Sequence, residues 1–170
     1  MKLCDAYRLA DRIKSELLQY CDQIEIAGSI RRARPEVNDI DLVILPKPGQ
    51  ELALRNRIKA RTTISIDGPQ TLIVRLSTGF QLDVWIAHPP ERDLVRTTPG
   101  NFGTLLVSRT GSREHNIYLC QRAIDLGLKW DPHHGVKDAA GQICASETEQ
   151  DVFAAIGLPW IPPVQRERGF

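Results

Sequence analysis

Cysteine and histidine are too few and too scattered in this chain to build a zinc or redox site. The four cysteines, Cys4, Cys21, Cys120 and Cys144, form no CxxC pair, and the four histidines show no zinc spacing. The cysteines read as buried free thiols in a reducing compartment. Long apolar runs are also missing. None approaches the ~20 residues that cross a bilayer, and Asp5, Asp11 and Glu16 interrupt the N-terminus where a signal peptide would be apolar. Net charge is only +1, which excludes a global basic field. There is no internal repeat and no low-complexity tract. These absences describe a soluble, cytoplasmic chain with no membrane partner.

Apolar residues make up 42% of the chain, enough for a core and too many for a disordered segment. The length of 170 residues suits one domain or two small lobes. The stretch from Ala27 to Ile44 organises the rest. In an extended segment alternate side chains share a face, so Asp39 and Asp41 lie side by side while Ile40, Leu42 and Ile44 point the other way. Adjacent carboxylates repel and are costly to ionise together unless cations neutralise them. Hard divalent cations, completed by water and phosphate oxygens, meet that need. Ahead of the pair, Gly28-Ser29 offers turn N–H groups and a hydroxyl, and Arg31 and Arg32 offer positive charge. A phosphate tail requires both. Farther on, Asp83 sits within Phe80-Gln81-Leu82-Asp83-Val84-Trp85-Ile86. A charge flanked by Leu, Val and Trp reads as a third ligand rather than a solvated edge residue. Three carboxylates match a two-metal phosphoryl-transfer site, whose ions stand about 3.5–4 Å apart.

Helical spacing of Leu3, Ala6/Tyr7, Ala10, Ile13, Leu17 and Tyr20/Cys21 predicts a helix from Asp5 to about Cys21. Ile24 to Ala27 reads as a short strand, Arg31 to about Arg34 as a helical turn ended by Pro35, and Asp39 to Leu45 as the carboxylate strand, stopped by Pro46-Lys47-Pro48-Gly49. Gln50 to Lys59 is a second amphipathic helix, with Leu54 and Ile58 inward and Arg55, Arg57 and Lys59 in solvent. Strands over Thr62 to Ile66, Thr71 to Leu76 and Phe80 to Ile86 follow, with turns at Asp67-Gly68-Pro69 and Ser77-Thr78-Gly79. His88-Pro89-Pro90 marks a lobe boundary around residues 87–98, and His88 reads as loop. Beyond it, Asn101 to Leu106 leads into Ser108-Arg109-Thr110-Gly111-Ser112. Ser112 suits the N-cap of a helix from Arg113 to Leu126, and Gly127 its stop. Ile117, Cys120/Gln121 and Ile124 read as the buried side of that helix, and Arg113, Asn116 and Cys120 lie close together on it. Leu128 to Trp130, Val136 and Ile143 suggest a small sheet whose turns include an exposed His133-His134. Ser146-Glu147-Thr148-Glu149 is a capping box for a helix to Ile156. The tail from Leu158 to Pro163 is extended, pinned by Trp160 and Ile161.

Gly28-Ser29-Ile30-Arg31-Arg32 with Asn38-Asp39-Ile40-Asp41-Leu42 resembles the signature of the nucleotidyltransferase superfamily. Thr110-Gly111-Ser112-Arg113-Glu114-His115-Asn116 resembles the thumb motif of the family X DNA polymerases, the polymerase beta group. Ala145 to Glu149 with Gly157 to Pro163 is similar to the end of the polymerase core in bacterial members. The resemblance covers nearly the whole chain. It implies an α+β fold: a nucleotidyltransferase palm of mixed β-sheet and two helices over residues 1–88, then a small α/β thumb lobe over residues 89–170. It implies nucleotidyl transfer from a dNTP to a DNA primer 3′-hydroxyl, used for short-gap filling in DNA repair, with Mg²⁺ as cofactor and Mn²⁺ also supporting activity. By the same resemblance, Asp39 and Asp41 bind both metals, and Asp83 holds the catalytic metal and helps deprotonate the 3′-hydroxyl. Gly28, Ser29 and Arg32 hold the triphosphate. The strand carrying Ser108, Arg109 and Gly111 faces the sugar, Arg113 lies against the incoming base, and Asn116 reaches the minor-groove edge. DNA contacts fall to Arg31, Arg34, Cys120 and Arg122, with Arg109, Arg113, Arg166 and Arg168 as further local bases whose grip weakens with salt. The implied partners are gapped or primer–template DNA, dNTPs and rNTPs, and a DNA ligase or other repair protein. A monomer is expected.

The layout of palm and thumb alone is similar to a minimal viral polymerase X and implies no lyase and no nuclease activity. Members commonly carry Tyr-Phe before Thr-Gly-Ser. Here Ser108-Arg109 stands in that place, which implies weak discrimination against ribonucleotides. Cys120 stands where relatives have an arginine on the template strand, which implies lower fidelity. Gln81, beside the third carboxylate, matches some members. Two rival readings stay open: a nucleotidyltransferase acting on a small molecule, a protein or RNA, and a non-enzymatic DNA-binding module. The Thr110–Asn116 motif counts against the first, and intact Asp39, Asp41 and Asp83 against the second.

Overall fold

The computed structural model describes residues 1–60, 62–92 and 97–167. Arg168 and residues 93–96, inside the expected lobe boundary, lie outside the described residues. Chain contacts divide the molecule into two units, Met1–Ala87 and His88–Phe170.

In the first unit, α1 (Leu3–Leu17) leads through a short 3-10 turn into β1 (Cys21–Ile26), the single-turn helix α2 (Gly28–Arg31) and β2 (Asp39–Pro46). Helix α3 (Glu51–Lys59) precedes β3 (Thr62–Asp67), β4 (Thr71–Leu76) and β5 (Gln81–Ile86). The five strands form one mixed sheet in the order β1-β2-β5-β4-β3. Only β2 and β5 run parallel; the other pairs are antiparallel. One face is built from Ile40, Leu42, Ile44, Leu72, Val74, Leu82, Val84 and Ile86. Ala6, Ala10 and Leu17 of α1 and Leu54 and Ile58 of α3 join the same core. Each fully buried Val, Leu or Ile contributes about 1.5–3 kcal/mol. A one-residue slip of β5 would turn Leu82, Val84 and Ile86 outward and push Asp83 into the core, so the register is fixed by several kcal/mol.

Four local readings need correction. Helix α1 stops at Leu17, because Cys21 is taken by β1; the Cys21 thiol donates to the Leu17 carbonyl at 3.1 Å. Tyr7 is exposed rather than part of the stripe. Arg55 is not solvated. It is buried against the β3–β4 turn, donating to Glu51 at 2.8 Å, to Asp67 and the Gly68 carbonyl at 3.0 Å each, and to the Pro69 carbonyl. Of the cysteines only Cys21 is buried. Cys4 and Cys144 are exposed, since neither faces a core, and Cys120 is half-buried.

The second unit begins with a two-stranded ribbon, β6 (Glu91–Arg92) and β7 (Thr97–Thr98), followed by α4 (Phe102–Thr110) and α5 (Arg113–Asp125). The small sheet β8 (Lys129–Asp131), β9 (Gly135–Lys137) and β10 (Ile143–Ala145) and the helix α6 (Glu149–Ala155) complete it. Val107, Leu119, Ala123, Val136, Val152, Phe153, Ile156 and Ile161 make its core. Gly103 lets α4 lie against the Thr148 backbone; a Cβ there would meet it at 2.3 Å.

The segment from Ser108 to Thr110 is therefore helix, not strand. Almost every residue of α4 is buried, so its sequence has no polar face to betray the helical period. Helix α5 is capped by Ser112 as expected, with the His115 N–H donating to its hydroxyl at 3.3 Å. Its buried side is His115, Leu119 and Ala123, whereas Ile117 and Ile124 are 59% and 62% exposed. The phase follows His115, which is fully buried with its ring 6.0 Å from that of Phe153. The N-cap of α6 is Thr148, not Ser146. Ser146 donates to the Gly100 carbonyl at 2.7 Å, and Glu149 turns inward to Arg166 at 2.8 Å. Arg166 is fully buried, with its guanidinium 5.0 Å from the Phe153 ring centre, so it holds the tail in place and is no base for gripping DNA.

Candidate active site

Strand alternation and the β2–β5 register assemble the acidic face of the first unit. Asp41 stands opposite Asp83, and Asp39 opposite Gln81. Neighbouring strands are about 4.8 Å apart and alternate residues about 6.6 Å along a strand, so three carboxylates share one small patch of sheet surface. Their inward neighbours Ile40, Leu42, Leu82 and Val84 are essentially inaccessible to solvent. Asp39 and Asp41 are half-buried and Asp83 is buried. Gln81 donates to Asp83 Oδ1 at 2.9 Å, and the Trp85 indole donates to Asp41 Oδ1 at 3.2 Å. Trp85 was legible in the sequence, since it follows Asp83 by two residues and must share its face.

The glycine-serine turn abuts this patch. Gly28 has φ +58°, and a Cβ built on it would lie 2.0 Å from Asp41 Oδ2. The Ala27 N–H donates to the Asp41 carbonyl at 2.9 Å, fixing the turn to the strand. The Ser29 hydroxyl is enclosed and has no hydrogen-bond partner among the described residues. Arg31 and Arg32 are half-buried, and Arg34 is exposed beyond Ala33, which has φ +57°.

Carboxylate oxygens on rigid strands are the donors that Mg²⁺ and Mn²⁺ prefer. Among the described residues, however, no three His, Cys, Asp or Glu side chains converge into a formed cation site. Asp41 and Asp83 accept from Trp85 and Gln81, respectively. The backbone register fits a shared ion.

In the second unit, the predicted nucleotide-facing residues gather at the α4–α5 junction. Asn116 donates to the Ser108 carbonyl at 2.7 Å, bridging the two helices. The Ser108 hydroxyl and the Asn116 side-chain oxygen are both buried without a partner among the described residues. Gly111, with φ +70°, makes the turn between the helices. Arg113 is exposed at the first turn of α5. Burial pushes the Cys120 thiol pKa up. Arg122 donates to the Ile156 carbonyl at 3.3 Å and so braces the end of α6. His133 is not an exposed turn residue. It is half-buried, with Nε2 3.4 Å from an Arg109 amine. Its neighbour His134 is exposed and lies 3.0 Å from Asp131.

Comparison with known proteins follows the same outline. Residues 105–167 match the DNA polymerase beta thumb family. The DNA polymerase/3′-5′ exonuclease PolX of Bacillus subtilis is 30% identical over 167 residues, which cover 96% of this chain and 28% of that protein. Rat DNA polymerase lambda is 31% identical over 85 residues, covering 44% of this chain and 15% of that one. The crystal structure of Leishmania infantum polymerase beta in a ternary gap complex superposes with a TM-score of 0.73 at 17% identity, covering 98% of this chain and 70% of the other. The class is thus a mixed α+β fold of the polymerase beta type. Within that class, the chain is a relative of the family X DNA polymerases. It spans less than a third of the length of these two curated relatives.

Proposed function

We infer that this protein transfers a nucleotidyl group from a dNTP to the 3′-hydroxyl of a DNA primer, filling short gaps during repair. The observation that carries this reading is the in-register pair Asp41–Asp83 with Asp39 beside it, pressed against a glycine-serine turn whose hydroxyl has no partner among the described residues. Asp39, Asp41 and Asp83 would hold Mg²⁺ or Mn²⁺, which when bound stabilises charge on the attacking and leaving oxygens. Asp83 accepts the proton of the 3′-hydroxyl as that oxygen bonds to the α-phosphorus. The bond from the α-phosphorus to its bridging oxygen breaks, and pyrophosphate leaves with that oxygen. The Ser29 hydroxyl and the Gly28 N–H donate to the triphosphate, and Arg32 balances its charge. Ser108, Arg109 and Asn116 face the sugar and the minor-groove edge of the nascent pair, and Arg113 lies against the incoming base. Arg31 and Arg34 contact the DNA backbone. Ser108-Arg109 in place of two aromatic residues supports loose sugar selection.

The test is extension of a one-nucleotide gap with each dNTP and rNTP, in Mg²⁺ and in Mn²⁺, with chelator as control. Chelator-sensitive templated addition is expected, with measurable ribonucleotide incorporation. Transfer to a protein, RNA or small-molecule acceptor, with none to DNA, would overturn the reading.

A further inference from the structure

The contact between Arg109 and His133 is not explained by packing alone. The guanidinium can only donate, so the His133 Nε2 that faces it at 3.4 Å must present its lone pair. The ring proton then sits on Nδ1, which is buried and has no partner among the described residues. The contact therefore exists only while the imidazole is neutral; a second proton would set two cations against each other.

The His133 backbone is fixed in its turn. Its N–H donates to Asp131 Oδ1 at 3.0 Å, and its carbonyl accepts from Asn101 Nδ2 at 2.7 Å. Asn101 is itself fully buried and accepts the His88 N–H at 2.8 Å. Among the described residues, the charged groups that act on the ring are Arg109 on α4 and Asp131 and His134 in its own turn, and Lys137 on β9 pairs with Asp131. Asp131 is the one carboxylate among them. It already accepts from the N–H groups of His133 and His134, from the His134 ring at 3.0 Å and from Lys137 at 2.7 Å.

We propose that His133 is a positioning residue for Arg109: its neutral imidazole accepts from the guanidinium at the end of α4, and protonation breaks that contact, so that nucleotide selection loosens as pH falls. This rests on the reading above for placing Arg109 beside the nucleotide; the histidine–arginine pair itself does not. Burial and the Arg109 charge hold the His133 pKa below its ordinary value, against a smaller upward pull from Asp131. The pair is accordingly formed at neutral pH. Asn116 on one side and His133 on the other then fix Ser108 and Arg109 before any substrate arrives.

The test has two arms on the full chain. In the first, NMR follows the His133 ring through pH in the wild type and in Arg109→Met. The pair predicts a His133 midpoint below the ordinary histidine value, rising once Arg109 is removed. An unchanged midpoint overturns the proposal. In the second, kcat and KM for matched dNTPs and rNTPs are measured from pH 8.5 to 5.5. The dNTP-to-rNTP preference should fall several-fold around the NMR midpoint in the wild type. It should be flat in His133→Gln, which stays neutral throughout. A persistent step in His133→Gln overturns the proposal. If no nucleotide is incorporated at all, the proposed function fails, while the first arm still decides whether His133 positions Arg109.

Discussion

Replacing Gly28 with alanine probes the junction between the phosphate turn and the carboxylates. The new Cβ would stand 2.0 Å from Asp41 Oδ2, whereas ordinary contact begins near 3.4 Å, so the carboxylate must retreat by about 1.4 Å. The backbone at φ +58° adds strain for any residue with a Cβ, roughly 1–2 kcal/mol. Folding should survive such a cost in a unit whose core lies on the opposite sheet face. Catalysis should not, because a misplacement of about 1 Å costs on the order of 100-fold when reacting groups must be aligned. Gly28→Ala should therefore lower the single-turnover rate of gap filling by at least about 100-fold, equivalent to roughly 2.7 kcal/mol. Its melting should lose only the 1–2 kcal/mol of backbone strain. The assay is rapid-quench extension at saturating dNTP beside a thermal melt. A variant with wild-type rate and an intact fold would refute the placement of Asp41 at the reacting centre.

Other substitutions test separate parts of the account. Arg166→Ala leaves Glu149 buried without its cation and should destabilise the second unit by about 3–5 kcal/mol in urea; an unchanged midpoint would deny the tail its anchoring role. The Cys21 thiol pKa, raised to about 11 by burial, should leave Cys21 unalkylated at pH 8 in the native state while Cys4 and Cys144 react. Peptide mass spectrometry reads the difference, and native labelling of Cys21 would contradict its burial. Burial raises the Asp131 pKa, but hydrogen bonds from Lys137, the His133 N–H and His134 outweigh it and hold the carboxyl well below the usual carboxylate range. Its folded pKa is depressed, so its stabilisation is present above the ordinary carboxylate pKa and is lost as pH falls through the acid range. Asp131→Asn should flatten the acid limb of a stability–pH curve, and an unaltered limb would remove Asp131 from that role.

The sheet of the first unit is legible because strand alternation is a two-residue property. Asp39, Asp41 and the apolar residues between them suffice to assign faces, and Asp83 follows from the same rule. What alternation does not supply is the partner strand, and the Asp41–Asp83 opposition emerges only from the parallel β2–β5 register. Helix α4 was hidden for the converse reason: a segment buried on every side has no period. In α5 the isoleucines are apolar enough to suggest a buried face, yet His115, Leu119 and Ala123 occupy it. A polar ring between Tyr118 and Phe153 cannot be read from hydropathy. Arg55, Glu149 and Arg166 look like surface charges until tertiary partners bury them. His133 is misjudged in the same way, because its partner Arg109 lies on another element.

The most direct test of the central claim is single-turnover incorporation of a matched dNTP into a one-nucleotide gap by Asp83→Asn. This substitution keeps the side-chain shape and removes a buried negative charge that faces Asp41 across the β2–β5 ladder. The account predicts melting at or above that of the wild type, since a like-charge repulsion is relieved, together with loss of Mg²⁺-dependent incorporation. Wild-type incorporation by a well-folded Asp83→Asn protein would contradict it.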